Sequence, residues 1–213
     1  MSATKNFFLI PVLLLAGCGT VSTQITPQTL SRNFGLERQT LVGQGMAFLT
    51  PASVTGQEQD RQALALIMAD TLKTLRPDVR AVSLPETLTA INHAGLAKEY
   101  RQMSDDYRDS GLFARETLKR VGEACNARYV AQLKLSNFSR DMRERFSLFG
   151  FRLLQTQYAS VRLYLQIWDT ETGSVVWETL EELQVAYDSG AEKPVTFRAV
   201  AEVAAQNMIK ELP

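Results

Sequence analysis

Apolar and polar positions along the chain fall into a few regular patterns. Residues 19–40 are rich in Thr, Ser and Gln, contain Pro27 and have little periodicity, so they read as a polar tether. Val42 to Leu49 reads as a first strand. Thr55 and Glu58 have capping-box spacing, and Leu64, Ile67, Met68, Leu72 and Leu75 then recur along one helical stripe. Pro77 stops that helix by pushing the preceding residue out of the helical region. Val79 to Leu84 reads as a short strand, and Pro85 opens a helix ending near Gly95. A polar helix follows over about 96–108, and another runs from Leu112 to Cys125 and stops at Asn126.

The pattern then changes period. Tyr129, Ala131, Leu133 and Leu135 alternate with polar or smaller residues, as do Val161, Leu163, Leu165 and Ile167, which is strand spacing. Asp169-Thr170-Glu171-Thr172-Gly173 lies between two apolar runs and signals a hairpin into Val175-Val176-Trp177 and on toward Tyr187. Phe197, Val200, Ala204, Met208 and Ile209 mark a closing helix. The predicted order is β-α-β-α-α-α-β-β-β-α. Sequential strands with a hairpin, mixed with helices, give an α/β (α+β) fold: one domain with a mixed, largely antiparallel sheet and helices packed on it.

The first residues carry a separate signal. Lys5, the apolar run Phe7 to Leu15 and the small residues Ala16-Gly17 have the order of a secretory signal peptide, and the apolar run is shorter than the roughly 20 residues of a spanning helix. Leu15-Ala16-Gly17-Cys18 resembles the bacterial lipobox, which implies cleavage before Cys18 and acylation of it. Residue 19 is Gly rather than Asp, which in the sorting pattern it resembles favours the outer membrane. The chain thus divides into a signal peptide over 1–17, a lipidated N-terminus and tether over 18–40, and a periplasmic α/β domain over 41–213. With Cys18 given to lipid, Cys125 has no partner for an intrachain disulfide and reads as a small core residue on the Leu118–Val121–Gly122 face.

Composition narrows the chemistry. Among 213 residues, 23 Lys and Arg balance 23 Asp and Glu, so no excess of positive charge marks a nucleic-acid binder. One His and two Cys exclude a His-rich or four-Cys metal site within one chain. His93 falls at a predicted helix end without a nucleophile motif, Gly43-Gln44-Gly45 lacks the third Gly of a dinucleotide loop, and Glu178, Glu181 and Glu182 read as a solvated strand face. No catalytic residue, metal, cofactor or small-molecule substrate is expected. The run from Arg140 to Phe151 combines charge with aromatics: Arg143, Arg145, Phe146, Phe149 and Phe151 are the candidate partner-binding residues. The same phenylalanines would equally suit a long hairpin end folded back on the core.

From Tyr129 to the C-terminus, about 85 residues, the order strand, insertion, Tyr158-to-Gly173, Val175-Val176-Trp177-Glu178 and closing helix resembles the periplasmic domain shared by curli-secretion channel lipoproteins and penicillin-binding-protein activator lipoproteins. The resemblance implies a non-enzymatic lipoprotein on the periplasmic face of the outer membrane. Its partners would be the bilayer, through acylated Cys18, and another envelope protein or further copies of itself. The expected role is an assembly or interaction accessory factor; the alternatives the resemblance offers are a subunit of an oligomeric secretion pore and a regulator of peptidoglycan synthesis. Channel members insert strand hairpins into the membrane. Here the first insertion carries Arg140, Asp141, Arg143, Glu144 and Arg145, so neither of its faces is continuously apolar.

Overall fold

Along the chain run β1 (Thr23–Asn33), α1 (Arg38–Gln44), β2 (Met46–Phe48), β3 (Ala52–Ser53), α2 (Glu58–Leu75), β4 (Ala81–Val82), α3 (Leu84–His93), α4 (Ala97–Ser110), α5 (Arg115–Cys125), β5 (Tyr129–Leu148), β6 (Phe151–Asp169), β7 (Ser174–Ser189) and α6 (Phe197–Lys210). The computed structural model describes residues 23–53, 58–148, 151–189 and 195–213, with backbone alone at 58–59, 142–148, 151–155 and 187–189. The strands form one mixed sheet in the order β1-β7-β6-β5-β2-β4, with β3 also paired to β5. The four long strands are antiparallel; β2, β3 and β4 join in parallel. The mixed α/β architecture is the one expected from the pattern.

The helices form where the periodicity puts them. In α2, Leu64, Ile67, Met68 and Leu72 are buried, while Leu75 at the end of the stripe is exposed. Ser83 and Glu86 make a reciprocal capping box at the start of α3, and Pro85 sits in its first turn, where no amide partner is needed. α5 ends on Asn126 in the left-handed conformation, with Leu118, Val121, Gly122 and Cys125 on its buried face. The Thr55 end of the predicted capping box lies outside the described residues.

Two regions differ from the sequence reading. Val42 to Leu49 is not one strand: the chain is helical through Gln44, Gly45 turns with φ 70°, and only Met46–Phe48 pairs. The segment read as tether is ordered from Thr23, where β1 pairs antiparallel with β7 over its full length. The insertion after Leu135 continues the two strands as one hairpin, from Tyr129↔Asp169 out to Leu148↔Phe151, with register shifts after Leu135 and near Phe146.

Apolar side chains sort onto the two faces of the sheet. On one face α2 and α6 cover Leu133, Leu135, Val161, Leu163, Leu165, Ile167, Trp177, Leu183 and Val185. On the other, α3, α4 and α5 enclose Ala47, Leu49, Val130 and Trp168, with Tyr107 and Phe113 stacked at 4.4 Å and both set edge-on to Trp168. Among the described residues, helices therefore cover both faces only near the β6–β7 turn, and toward the other end the long strands run on without cover on the α3–α5 side.

Candidate interaction surface

β1 is the outer strand of the sheet, and every residue in it but Ser31 is exposed. Pro27 is tolerated there because an edge strand needs no ladder partner on its outer side. Two side-chain contacts cross from the strand to β7, and a third closes the turn that follows it. Ser31 and Thr179 share a hydrogen bond of 2.8 Å, and Asn33 Oδ1 accepts from the amides of Gly35 and Leu36. Thr29 Oγ1 donates to Glu181 Oε2 at 2.5 Å, and Asn207 Nδ2 on α6 donates to the other carboxylate oxygen at 2.8 Å.

Glu181 is thus fully buried, which corrects its reading as part of a solvated acidic face. Its neighbours on the same side of β7 are Trp177, Thr179, Leu183 and Val185, all buried. A carboxylate there is tolerable because both oxygens have donors, and those donors tie β1 and α6 to the same strand. Glu178 and Glu182 face the other way. Glu182 pairs with Arg162 at 2.8 Å, and Glu178 accepts from Tyr164. Burial and the bond to Glu178 push the Tyr164 hydroxyl up to about 12. Gln166 links this pair to Tyr107 on α4.

Beyond Tyr164 the uncovered face becomes a shallow groove of about 430 Å³ across all four long strands, lined by Gln24, Thr26, Ser139, Tyr158, Ser160 and Gln184. Its lining is mixed, with Asp141, Ala159, Val185 and Ala186 beside these polar side chains. The open strand edges stand out instead. Among the described residues nothing pairs the outer side of β1, and β5 has no neighbour beyond Leu135 on the side away from β6. One four-stranded ribbon therefore presents two unpaired edges, and Ile25, Leu30 and Phe34 are exposed on and just after β1.

The helix-covered end is built differently. Asp169 starts the β6–β7 turn, where its Oδ1 accepts the Glu171 amide and its Oδ2 takes Arg128 Nε and a second guanidinium nitrogen at 3.1 and 2.8 Å. Burial works to raise this carboxyl, but the bond from Arg128 and the turn amides outweigh it and hold it below the usual range. A Cβ at Gly122 would lie 2.5 Å from Thr170 Oγ1, so α5 can pack on this turn only with glycine there.

The candidate residues read from the sequence fall in one place by backbone. Arg143, Arg145 and Phe146 lie on β5 and Phe151 on β6, at the end of the hairpin; their side chains, and Phe149 altogether, lie outside the described residues. Cys18 does as well. Cys125 is buried, and burial pushes its thiol up, away from nucleophilic character. His93 ends α3 on the surface. Among the described residues no group of three or more His, Cys, Asp or Glu could hold a metal ion, and no helix is long and apolar enough to cross a membrane. The β1 edge was not anticipated as an interaction surface.

No protein-family model matches the chain, and no curated protein sequence does. Solved structures share the fold. A PelC dodecamer from Paraburkholderia phytofirmans is 15% identical over 89% of this chain and 97% of that one, with a TM-score of 0.50. Escherichia coli LpoB is 12% identical over 68% and 64%, with a TM-score of 0.39. Lipoprotein GNA1162 from Neisseria meningitidis is 9% identical over 70% and 87%, with a TM-score of 0.38. The likeness to PelC supports the architecture over nearly its whole length. A link to curli-secretion channels is not among these likenesses.

Proposed function

We propose that the protein is an envelope lipoprotein, acylated at Cys18 on the periplasmic face of the outer membrane, that works without catalysis by assembling with further copies of itself. The observation that carries this is the pair of open edges on one antiparallel ribbon. β1 and β5 run in opposite directions, so the outer side of β1 in one copy can pair antiparallel with the outer half of β5 in the next. Such a head-to-tail contact repeats, and closes into a ring when the rotation permits. Edges this long are usually blunted by charge, proline or a cover; β1 carries only Arg32 and Pro27, and Pro27 removes one outer donor while the residues on either side of it keep theirs for pairing. That PelC, of similar fold, was solved as a dodecamer supports the same direction.

The assembly would act as a scaffold or accessory for another envelope component. Mass measurement of the detergent-extracted, acylated chain tests it. A discrete oligomer with ring-shaped particles is the expected result, and a monomer at all concentrations overturns self-assembly. Anchoring is tested separately: Cys18→Ser is expected to leave the membrane fraction, and retention there overturns it.

A further inference from the structure

Between α4 and the segment 50–53 lies a cavity of about 310 Å³. Gln132 on β5 lines it and is only 3% exposed. Its amide nitrogen donates to the carbonyls of Thr50 and Leu133 at 3.2 and 2.8 Å, while its Oε1 has no donor among the described residues. Tyr100 on α4 completes this wall. Its hydroxyl accepts from the Thr50 amide at 2.9 Å and donates to Thr50 Oγ1 at 3.0 Å. The polar groups are thus held in place before anything binds, which lowers the ordering cost of a ligand.

The rim is cationic. Arg61 from α2 and Arg101 and Arg108 from α4 face a single carboxylate, Asp105. Arg61 Nε donates to the Pro51 carbonyl at 2.8 Å, which fixes that side chain beside the segment 50–53. Arg108 is taken up by Asp105 at 3.0 Å and Asp109 at 3.6 Å. Arg101 is exposed and makes no ion pair or hydrogen bond among the described residues. Burial raises the Tyr100 hydroxyl above its ordinary value, while the bonds to Thr50 and the charge of Arg61 act against that rise, so positive potential reaches the cavity wall.

The edge of β3 gives the ligand its form. β3 pairs with β5 on one side, and among the described residues no strand takes its other side. Ala52 and Ser53 both line the cavity. An extended peptide can therefore add alongside them through its backbone. We propose that this cavity binds the carboxylate end of a short extended peptide, with Arg101 holding the carboxylate and Gln132 Oε1 accepting a peptide amide. A guanidinium presents paired donors that match a carboxylate, and the acceptor beside it selects a ligand that also carries an N–H group. The volume lies at the lower end of the roughly 300–1,000 Å³ of ligand pockets, which suits a short peptide. The site depends neither on acylation of Cys18 nor on pairing of β1.

Isothermal titration of the detergent-extracted full chain tests the proposal, with N-acetyl-trialanine as the free acid, the same peptide as its C-terminal amide, and inorganic phosphate as probes. The free acid is expected to bind at least about tenfold tighter than the amide. Arg101→Gln is expected to weaken the acid by about the same factor with the unfolding midpoint unchanged, since the side chain is exposed. Arg198→Gln removes the same charge from α6 on the opposite face of the sheet and is expected to leave binding unchanged. Equal binding of acid and amide, no binding of either, or an acid affinity indifferent to Arg101→Gln overturns the site. An equal loss in both variants traces binding to the overall charge of the chain and overturns it as well. Phosphate binding tighter than the acid reveals a plain anion site and overturns the peptide as its ligand.

Discussion

The two ends of the sheet solve the same problem in opposite ways. Near the β6–β7 turn, helices cover both faces and the strands contribute Leu, Ile, Val and Trp side chains to two cores. Toward the β5–β6 end, among the described residues, no helix covers one face, its groove is lined by Gln, Ser, Thr and Tyr together with Asp141 and small apolar residues, and the outer edges are unpaired. The carboxylates at the two ends follow the same division. Asp169 is neutralised by an arginine and by turn amides, while Glu181 has only neutral donors and serves to attach the edge strand. One end holds the fold; the other is arranged to meet something else.

The largest effect that would sharpen this contrast is in the covered end. Trp177 is among the largest fully buried side chains, and Trp177→Ala is expected to cost about 4 kcal/mol in denaturant unfolding. Ser139→Ala on the bare face should change stability by less than about 0.5 kcal/mol. Equal costs would mean that the two ends unfold as one core. Next comes the link between them. Glu181→Ala removes the acceptor of both Thr29 and Asn207, and is expected to cost about 2–3 kcal/mol and to speed amide exchange in 23–33 before any other strand. Unchanged exchange there would mean that the backbone ladder alone holds β1.

The covered end was also the part legible from sequence, for a physical reason. Helices α2, α3, α5 and α6 bury one stripe each, and burial on one face leaves a periodic trace in residue type. β1 buries neither face, so its Thr, Gln and Ser left no alternation to read, and Pro27 argued against a strand that only an edge permits. Glu181 was misread by composition although the signal was present. Trp177, Thr179, Leu183 and Val185 mark the inward row of β7, and position 181 belongs to it by parity. In the same way Val42 to Leu49 was read as one strand across Gly45, whereas the chain before Gly45 is helical with Leu41 buried. For the candidate surface, the sequence pointed to the hairpin residues but not to the β1 edge.

A smaller effect concerns pH. The Asp169 carboxyl is held below its unfolded value, so its contribution is fully present above about pH 4 and is lost as pH falls through the folded value. Asp169→Asn is expected to cost about 2 kcal/mol at neutral pH, the figure for a buried pair reduced because Arg128 is one-third exposed, and to flatten the acid limb of the stability curve. An acid limb as steep in the variant as in the parent would place the acid sensitivity elsewhere.

The smallest effect on stability carries the most weight for function. Ile25 and Leu30 are 47% and 58% exposed, so Ile25→Lys with Leu30→Lys should leave the folded monomer within about 0.5 kcal/mol of the parent. The same lysines place charge along the edge that the proposed contact between copies would cover, and a desolvated, unpaired charge opposes strand addition. The expected outcome is a monomer on detergent extraction with unchanged unfolding. Loss of assembly together with loss of stability would mean that β1 belongs to the fold in the same sense as the covered strands, and the distinction between the two ends would fail. Unchanged assembly would remove the β1 edge as the seam and leave the outer half of β5 to find a different partner.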